Sequence, residues 1–481
     1  MKNRKLKRLG IIGSVSLLFF VMLVSYHAYE KEQQKQAFLQ SDGATAQAAN
    51  LKYNDDSQIT VLLKNGTDNF RAGFRVVISG KYKKITSEKT TTLKSGKVVN
   101  FTLGAGSKKP KKSDCVTLKP LKEGGRIYFC DSSGKKMSKG YRGSLMVYRF
   151  PKGYVVLNKL PIKQYLYGVV PSEMPSGYHE QALKAQAICA RSYAYKQLMG
   201  EHALKYYYAD LDDSTAYQVY NKSNDAKSTR EAVNTTKNKV LWYKNEIVTT
   251  YYYSTSAGVS QKYDLWGLQP SSFGYLKNKI LKKGSLKKSD LSKEETFQKF
   301  MKQNKASFYE KSCRYFRWKA SLNLKKYDDQ LSWAIVQRKN QAPKTVAIYN
   351  KKGKKISGLK HLGKPKSLEV TKRSDGGGIL ELVIHYKKGK VRLKNEYTIR
   401  YCLAACGAKV TLQDHSISSG SLLLPSAVFY VKSVEKGKVQ LRGGGFGHGL
   451  GMSQNCANEM AKEGMGYKKI LKTFYPGTTL K

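Results

Sequence analysis

Residues 177–198 are rich in Ala, Leu, Gln and Lys, all of which are strong helix formers. Ser176 is suited to cap the N-terminus of this predicted helix, and Gly200 is suited to the position just after its end. Small side chains, among them Ala182 and Cys189, recur along one face. Because small side chains let neighbouring elements approach closely, the pattern predicts a central, buried helix.

Much of the remaining chain alternates between apolar and polar residues with a period of two, which predicts β-strands. Turn pairs such as Asn65-Gly66 separate the first of these strands. The predicted strands cover residues 59–63, 74–78, 126–129, 144–148, 153–158, 246–253, 367–370 and 380–384. The sequence therefore predicts an α+β fold in which antiparallel β regions pack around the small-residue helix.

The chain of 481 residues is long enough for two or three domains. We predict a charged helical insert over 287–309, which opens a variable lobe over 287–365, and short helices over 455–462 and 467–474. The predicted domain plan is a membrane anchor at 1–29, a polar stalk at 30–56, a mostly β region at 57–160 and a main region at 161–481 with that lobe inside it.

Residues 1–29 predict a membrane anchor. Basic residues crowd the first eight positions, and an uncharged run from 9 to 29 follows them. A helix that crosses the hydrocarbon core needs about 20 such residues. The basic flank predicts a single-pass cell-membrane protein with a cytoplasmic N-terminus and an extracytoplasmic main domain. A cleaved signal peptide is the alternative, although its nearest small-residue site, from Ala44 to Ala46, lies far beyond the apolar run.

The chain is strongly basic, with 87 Lys and Arg against 34 Asp and Glu and a formal net charge of +53. Short clusters such as 108–112 and 351–355 carry much of this charge. Such a surface attracts a polyanion, which could be nucleic acid, an anionic membrane face or a cell wall rich in phosphate and carboxylate. Export of the main domain argues against nucleic acid.

The seven cysteines form no dense disulfide framework. Cys115 and Cys130 flank a strand-turn-strand stretch and are able to pair in an oxidising compartment. Cys402 and Cys406 have no matching second pair, so the pattern for a zinc site is weak. Scattered small, buried residues are the favoured interpretation of these cysteines.

One carboxyl group, that of Glu173, stands between Pro171 and Pro175, after an apolar run typical of a strand and before the predicted helix. Because prolines fix φ and disfavour a helix before them, we expect Glu173 on a rigid corner. Apolar neighbours such as Met174 and Val169 are expected to raise its pKa, as in general acids that work near neutral pH. A glutamate that caps the N-terminus of the following helix is the alternative. The pattern alone does not decide between the two.

Two further segments contain groups suited to binding. Residues 253–258 bring closely spaced hydroxyl groups to the end of a predicted strand, where an ordinary Ser/Thr turn is the alternative. Residues 443–451 contain six glycines, which indicates unusual backbone conformations or close approach of a ligand. Phe446 and His448 extend from this bare segment, and a packing role for His448 is the alternative to a catalytic one.

The motifs resemble the signature of the SpoIID/LytB family. The resemblance begins with YLYGVVPSEMP at 165–175 and ALKAQA at 182–187. It continues, in the same order along the chain, with ARSY at 190–193, QVY at 218–220, STS at 254–256, WG at 266–267 and GFGHGLGMSQ at 445–454. The similarity extends from about residue 57 to the C-terminus.

The resemblance implies a peptidoglycan lytic transglycosylase with a substrate cleft and without a cofactor. Such enzymes cut the MurNAc–GlcNAc bond of glycan strands that lack stem peptides and leave a 1,6-anhydro sugar. They act with a cell-wall amidase and other engulfment proteins on septal peptidoglycan during sporulation. The catalytic glutamate of the family matches Glu173. The candidate substrate-binding residues, which line or support the cleft, are Tyr165, Gln186, Arg191, Ser254, Ser256 and His448.

The sequence departs from the family in places. Some members hold a structural zinc ion, but Tyr253 and Ala216-Tyr217 stand at the ligand positions here, so we predict no metal. Ala257 replaces a common glycine, and residues from about 310 to 365 match poorly. A non-catalytic module that binds peptidoglycan and recruits or activates an amidase is the competing hypothesis, and the Pro-flanked Glu173 favours the enzyme.

Overall fold

The computed structural model describes residues 54–102, 115–200, 202–284, 290–303 and 306–481. They form two compact units, the first ending at Thr249 and including Leu480 and Lys481, and the second running from Thr250 to Thr479. The predicted anchor and most of the predicted stalk lie outside the described residues. Within the described ranges, no helix is long and apolar enough to cross a membrane.

The first unit is built mainly from antiparallel strands. Its strands are β1 (Gln58–Leu62), β2 (Phe74–Ser79), β3 (Tyr82–Ile85), β4 (Thr90–Leu93), β5 (Val98–Phe101), β6 (Cys115–Pro120), β7 (Arg126–Cys130), β8 (Ser144–Phe150), β9 (Gly153–Pro161), β10 (Leu211–Asp212), β11 (Leu241–Tyr243) and β12 (Glu246–Ile247). One sheet has the order β10-β1-β9-β8-β6-β3-β4 and a second has the order β5-β2-β7. Among the described strands of these two sheets, only the short β10 pairs in parallel, with β1.

Three helices of this unit are α1 (Ile162–Glu173), α2 (Glu180–Met199) and α3 (Lys227–Thr235). α2 confirms the predicted small-residue helix, because its alanines are buried in the core beside α1. Its start differs from the prediction, since the N-cap is His179, whose Nδ1 accepts a hydrogen bond from the Gln181 N–H at 3.3 Å, and not Ser176. Gly200 ends the helix as its C-cap in extended conformation.

α1 corrects the prediction that the residues before Glu173 form a strand and a corner. They form a helix that starts directly after β9 and contains Pro171 in its last turn. Tyr165, Leu166 and Val169 are all buried in the core. A helix that is buried nearly all round is apolar nearly all round, so its sequence lacks the 3.6-residue alternation that distinguishes it from a buried strand.

The second unit contains the remaining elements, except that Leu480, the final residue of the last strand, belongs to the first unit. Its helices are α4 (Pro270–Phe273), α5 (Glu294–Lys302), α6 (Asp328–Gln341), α7 (Glu396–Ala404), α8 (Gln454–Lys462) and α9 (Tyr467–Phe474). The strands from here on are β13 (Tyr252–Tyr253), β14 (Trp318–Asn323), β15 (Val346–Asn350), β16 (Lys355–Ile356), β17 (Pro365–Arg373), β18 (Ile379–Tyr386), β19 (Gly389–Lys394), β20 (Lys409–Leu412), β21 (Ile417–Ser419), β22 (Phe429–Glu435), β23 (Lys438–Gly443), β24 (Met452–Ser453) and β25 (Thr479–Leu480).

Two five-stranded antiparallel sheets organise this unit, with the orders β21-β20-β14-β23-β22 and β16-β15-β19-β18-β17. In the second sheet, Ile348, Val391 and Ile384 face one side and are buried. α5 confirms a helix within the predicted insert, and α8 and α9 confirm the two short C-terminal helices. The predicted strand over 246–253 is wrong in extent, because only its two ends, β12 and β13, are strands.

The cysteines of the described residues are free thiols, so Cys115 and Cys130 are not paired in this structure. Cys115 lies on β6 in the seven-stranded sheet, whereas Cys130 lies on β7 in the three-stranded sheet. Cys402 and Cys406 are buried, in agreement with the prediction of small buried residues.

Candidate functional site

Glu173 is the last residue of α1, and its side chain is partly exposed. The backbone N–H of Val219 donates a hydrogen bond of 2.6 Å to its Oε1. The alternative that Glu173 caps a helix N-terminus is wrong, since the residue lies at the opposite end of a helix. A carboxylate at a C-terminal end gains no stabilisation from the helix dipole, so capping does not explain this position.

Each residue of the QVY motif, Gln218 to Tyr220, makes hydrogen bonds to a different part of the first unit near this carboxyl group. The Gln218 side chain donates to the Ala190 carbonyl oxygen on α2 at 3.3 Å and accepts from the Tyr165 hydroxyl at 3.1 Å. Val219 supplies the N–H to Glu173. The Tyr220 hydroxyl donates to the side-chain oxygen of Asn158 on β9 at 2.7 Å. The motif thus fixes the N–H donor of Glu173 against two helices and the sheet.

Lys222 and Ser223, which follow the QVY motif closely, are also hydrogen-bonded to the last turn of α1. The Ser172 hydroxyl donates to the Gly168 carbonyl oxygen at 2.6 Å and accepts from the backbone N–H groups of Lys222 and Ser223 at 2.9 and 3.2 Å. A Cβ at position 168 would lie 2.6 Å from the ring of Tyr220. Gly168 is therefore required for the close approach of the QVY motif to the helix.

Buried acidic side chains accompany Glu173 in the first unit. Burial raises the pKa of the Tyr165 hydroxyl well above its ordinary value, with further contributions from Tyr220, Glu173, Asp212 and Asp213. Tyr165 is therefore a neutral hydrogen-bond donor. Burial also raises the pKa of Asp213 to about 6, although its side chain accepts a hydrogen bond from the Lys64 N–H. Neither aspartate is predictable from the sequence, because nothing in the neighbouring residues marks them as buried.

Three of the predicted substrate-binding residues in the first unit are closed to solvent. Tyr165, Gln186 and Arg191 each have an exposed fraction of 0%. The Arg191 guanidinium pairs with the Asp55 carboxylate, with Nε 2.7 Å from Oδ1, and also donates to the Val233 carbonyl oxygen at 3.0 Å. Because a ligand that arrives from solvent does not reach them here, these residues support the helices around Glu173 and do not contact a substrate in this conformation.

In the second unit, the STS motif is tied to a buried acid that sequence analysis missed. Glu310 is 1% exposed and accepts hydrogen bonds from the Ser256 N–H at 2.8 Å, from the Ser256 hydroxyl and from the Ser453 hydroxyl at 2.7 Å. Burial raises its pKa to about 7, although the hydrogen bonds from the two serines lower it. Ser256 is 2% exposed and is thus used for this internal contact.

Ser254 is half-buried and remains the more accessible serine of the motif. The Asn455 side chain donates to the Ser254 carbonyl oxygen at 3.0 Å and to the Thr255 hydroxyl at 2.9 Å. Strands β13 and β24 pair in parallel directly before these residues. The structure thus brings the STS motif together with the start of α8.

His448 is held by its own loop and strand. The Leu450 N–H donates to His448 Nδ1 at 3.1 Å, so the proton of the neutral ring lies on Nε2, which donates to the Tyr252 carbonyl oxygen at 3.1 Å. The ring also packs against Trp266, with centroids 4.8 Å apart. The structure therefore places His448 against β13, with both ring nitrogens engaged by backbone groups.

Phe446 stands out in the glycine-rich segment because 40% of it is exposed. Its ring stacks on Tyr315, with centroids 4.3 Å apart and 18° between the planes. Its backbone exchanges hydrogen bonds with Thr255 at 2.7 and 3.2 Å. The flanking Gly445 and Gly447 have φ of 84° and 116°, which other residues rarely adopt. An exposed aromatic ring is thus presented in a fixed orientation.

The candidate residues fall into both units: Glu173, Tyr165, Gln186 and Arg191 in the first, and Ser254, Ser256 and His448 in the second. Among the described residues, no three His, Cys, Asp or Glu side chains lie close enough together to hold a metal ion. The predictions that the protein holds no metal and uses no cofactor stay predictions.

Comparison with known proteins finds family matches to two segments of the chain. A family described as "Stage II sporulation protein", SpoIID, matches residues 151–243, which include Glu173 and the QVY motif. A domain of unknown function matches residues 260–451. The stage II sporulation protein D of Bacillus subtilis (strain 168) is 27% identical over 363 residues, which cover 73% of this chain and 82% of that protein.

Two further relatives are similar over comparable lengths. The amidase enhancer of Bacillus subtilis (strain 168) is 28% identical over 316 residues, or 66% of this chain, which spans only 40% of that relative. An uncharacterised protein of Brachyspira hyodysenteriae is 26% identical over 343 residues, covering 71% of this chain and 72% of that protein.

Proposed function

Because the chain belongs to the SpoIID family, we propose that it is a lytic transglycosylase of peptidoglycan with Glu173 as the only acid/base. The substrate is a glycan strand from which stem peptides have been removed. The observation that carries the proposal is the Glu173 carboxyl group, partly exposed and fixed by the Val219 N–H. Relatives named for sporulation support a role in remodelling septal peptidoglycan during engulfment of the forespore.

The proposed reaction needs a single carboxyl group. Protonated Glu173 donates its proton to the glycosidic oxygen as the bond from MurNAc C1 to that oxygen breaks, and GlcNAc leaves with a free hydroxyl group. The ionised Glu173 then accepts the proton of the MurNAc 6-hydroxyl as its oxygen bonds to C1. Ordinary glycosidases need a second carboxylate as nucleophile or to activate water. Here the substrate supplies the nucleophile, and water is not consumed.

The first unit offers support for this role. The N–H of Val219 stabilises the ionised carboxylate that forms after the first proton transfer, since a hydrogen bond to a charged acceptor is strong. Gln218 and Tyr220 hold that donor in place through their own hydrogen bonds. A fixed donor avoids reorganisation at the moment of proton transfer, which is the advantage of a preorganised site.

The test is digestion of purified, peptide-free glycan strands by the full chain, with mass spectrometry of the products. We expect 1,6-anhydro products from the wild type and a loss of at least about a hundredfold in rate for Glu173→Gln, because the acid/base contribution is of that order. Glu180→Gln is the matched control, since Glu180 is exposed at the start of α2. Intact glycan with the wild type, or full activity of Glu173→Gln, would contradict the proposal.

A non-catalytic activator of a cell-wall amidase is the second candidate function. The similarity to a protein named amidase enhancer favours it. The two functions are separated by the rate at which a purified amidase removes stem peptides in the presence of this chain. A recruiter stimulates the amidase equally well with Glu173→Gln as with Glu173. An enzyme that only processes amidase products does not stimulate peptide removal.

We also propose that the protein is anchored in the cell membrane by residues 9–29, with the main domain outside the cytoplasm. The basic residues before that run support this orientation. Fractionation of cells and protease treatment of spheroplasts test it. Recovery of the full-length chain in the soluble cytoplasmic fraction, or resistance of the main domain to external protease, would contradict the anchor.

A further inference from the structure

Three adjacent turns at one end of the β16-β15-β19-β18-β17 sheet are rich in lysine. These lysines have no role in the proposed cleavage of glycan. The turn between β15 and β16 contains Lys351, Lys352 and Lys354, and the turn between β18 and β19 contains Lys387 and Lys388. Lys360 lies in the loop that leads into β17. All six side chains are exposed, and we call them the lysine end.

Strand register places these turns together. Asn350, the last residue of β15, lies opposite Gly389, the first residue of β19, so the two lysine-bearing turns are neighbours at the same end of the sheet. The Lys388 N–H donates to the Leu362 carbonyl oxygen at 2.8 Å, which brings in the third segment. A Cβ at Gly389 would lie 2.1 Å from the Tyr349 carbonyl oxygen and 2.6 Å from Leu362. The three segments are thus in direct contact.

The positive charge at this end is not neutralised within the unit. Among the residues that the structure describes, no carboxylate lies within 4.0 Å of the six ammonium groups, whereas the neighbouring Lys364 pairs with Asp328 at 3.0 Å. The same charge continues along the sheet, because Lys355 and Lys390 both lie opposite Tyr349 on adjacent strands. Like charges held close together by a folded backbone repel one another, and an anionic partner relieves that repulsion.

The chemistry of the surface favours phosphate groups on a flexible chain. An ammonium group is a compact point charge on a flexible stem, which binds phosphate oxygens without the fixed two-pronged geometry of arginine. None of the exposed large apolar side chains of the described residues lies in these three turns. The three turns therefore expose no Phe, Tyr or Trp ring for stacking on nucleic-acid bases, although the smaller ring of His361 is exposed beside Lys360, and they expose no large apolar side chain for insertion into a membrane.

We propose that the lysine end binds a linear anionic polymer of polyol phosphate units, of the kind found in cell walls, as a second ligand besides the glycan strand. Binding of this polymer retains the protein in the phosphate-rich part of the wall. The lysine end lies within the matched domain of unknown function and belongs entirely to the second unit. It is separate from Glu173 in the first unit, so the proposal holds whether or not the chain cleaves glycan.

The experiment measures binding of the full chain to poly(glycerol phosphate) over a series of NaCl concentrations. The test variant replaces Lys351, Lys352, Lys354, Lys387 and Lys388 by glutamine. The matched control makes the same change in charge at five dispersed, exposed lysines: Lys83, Lys237, Lys319, Lys432 and Lys468. Thermal unfolding and digestion of glycan by both variants show whether either change disturbs the fold or the proposed activity.

We expect the test variant to lower the slope of log affinity against log salt concentration by about 3, since each lost phosphate contact on a flexible chain contributes about 0.7. The dispersed variant should change the slope by about 1 or less. Equal losses in both variants, or no binding of the polymer by the wild type, would overturn the proposal. Lysine-end-dependent binding that is tighter to phosphatidylglycerol vesicles or to single-stranded DNA than to poly(glycerol phosphate) would also overturn it.

Discussion

Glu173 in the first unit and Glu310 in the second are both held by backbone N–H groups, but they differ in burial. Glu173 is partly exposed and receives the N–H of Val219. Glu310 is 1% exposed and receives one N–H and two hydroxyl groups, from Ser256 and Ser453. A glutamate side chain is thus partly accessible in the first unit, whereas in the second unit a glutamate is enclosed by its hydrogen-bond donors.

The difference shows that a perturbed pKa and a rich set of hydrogen bonds do not by themselves identify a catalytic acid. Glu310 has a pKa near 7, a value suited to proton transfer, yet no substrate reaches it. Its contacts join the STS motif to the segment before α8, which is a structural role. Glu173 has the accessibility that proton transfer to a polymer requires, so it remains the proposed acid/base, whereas the enclosed position of Glu310 fits a structural role.

The largest effect on stability is expected for Glu310→Ala. The change leaves a buried N–H and two buried hydroxyl groups without their acceptor, which should lower the free energy of unfolding by about 2–3 kcal/mol. Urea unfolding followed by tryptophan fluorescence measures it. The control is Glu463→Ala, which removes an exposed glutamate paired with Lys283 in the same unit and should cost less than about 1 kcal/mol. Equal decreases in the free energy of unfolding for the two variants would contradict a structural role for Glu310.

A smaller effect is expected from the titration of Glu310. Its pKa is about 7 in the folded protein against an ordinary value of 4.5, so the folded state binds more protons than the unfolded chain between these pH values. The free energy of unfolding should therefore fall as pH rises from about 4.5 to 7, and the Glu310 contribution should be constant above that range. Glu310→Gln should remove roughly 1–3 kcal/mol of this decrease.

The pH test uses urea unfolding of wild type and Glu310→Gln at matched pH values. Burial also raises the pKa of Asp213 to about 6, which gives a slope of the same sign in both proteins, so only the difference between them reports on Glu310. Identical slopes for the two proteins would show that Glu310 keeps an ordinary pKa when folded.

The smallest effect is expected for Phe446→Ala, which tests whether the second unit contributes to glycan binding. Phe446 is exposed and stacked on Tyr315, so Phe446→Ala should leave stability nearly unchanged while weakening glycan binding by about 1 kcal/mol, or roughly fivefold. The measurement is binding of peptide-free glycan in the Glu173→Gln background, where turnover does not interfere. Phe446→Tyr should bind normally. Unchanged binding by Phe446→Ala would exclude the ring as a sugar contact.

Most of the strands could be predicted because apolar and polar residues alternate along them with a period of two. Strands such as β8 follow the predicted ranges closely, because their buried and partly exposed residues largely alternate. Helix α2 was predictable from its strong helix formers instead, since residues 185–195 are buried on every side. Helix α1 was mistaken for a strand, since burial on nearly all sides leaves no period to detect. Its Pro171 added to the error, although a proline in the last turn is tolerated here by the surrounding core.

The candidate site was only partly predictable, because its contacts are distant in sequence. Glu173 was found from its proline-flanked motif and the family resemblance. Its donor Val219 is 46 residues away, and the contacts of Glu310 with Ser256 and Ser453 span 54 and 143 residues. Similarly, the run at 351–355 is visible as charge, but only the pairing of β15 with β19 brings Lys387 and Lys388 beside it.

The position of the Val219 N–H, which donates a hydrogen bond to Glu173, depends on the glycine at residue 168. The ring of Tyr220 lies 2.6 Å from the position that a Cβ of residue 168 would take, and Val219 directly precedes Tyr220 in the chain. A methyl group at 168 would push the ring outward and carry the Val219 N–H away from Glu173, although neither residue would have changed. The orientation of the proposed acid/base thus depends on the absence of a side chain at residue 168, and a single added methyl group there would disturb the end of α1 without changing Glu173.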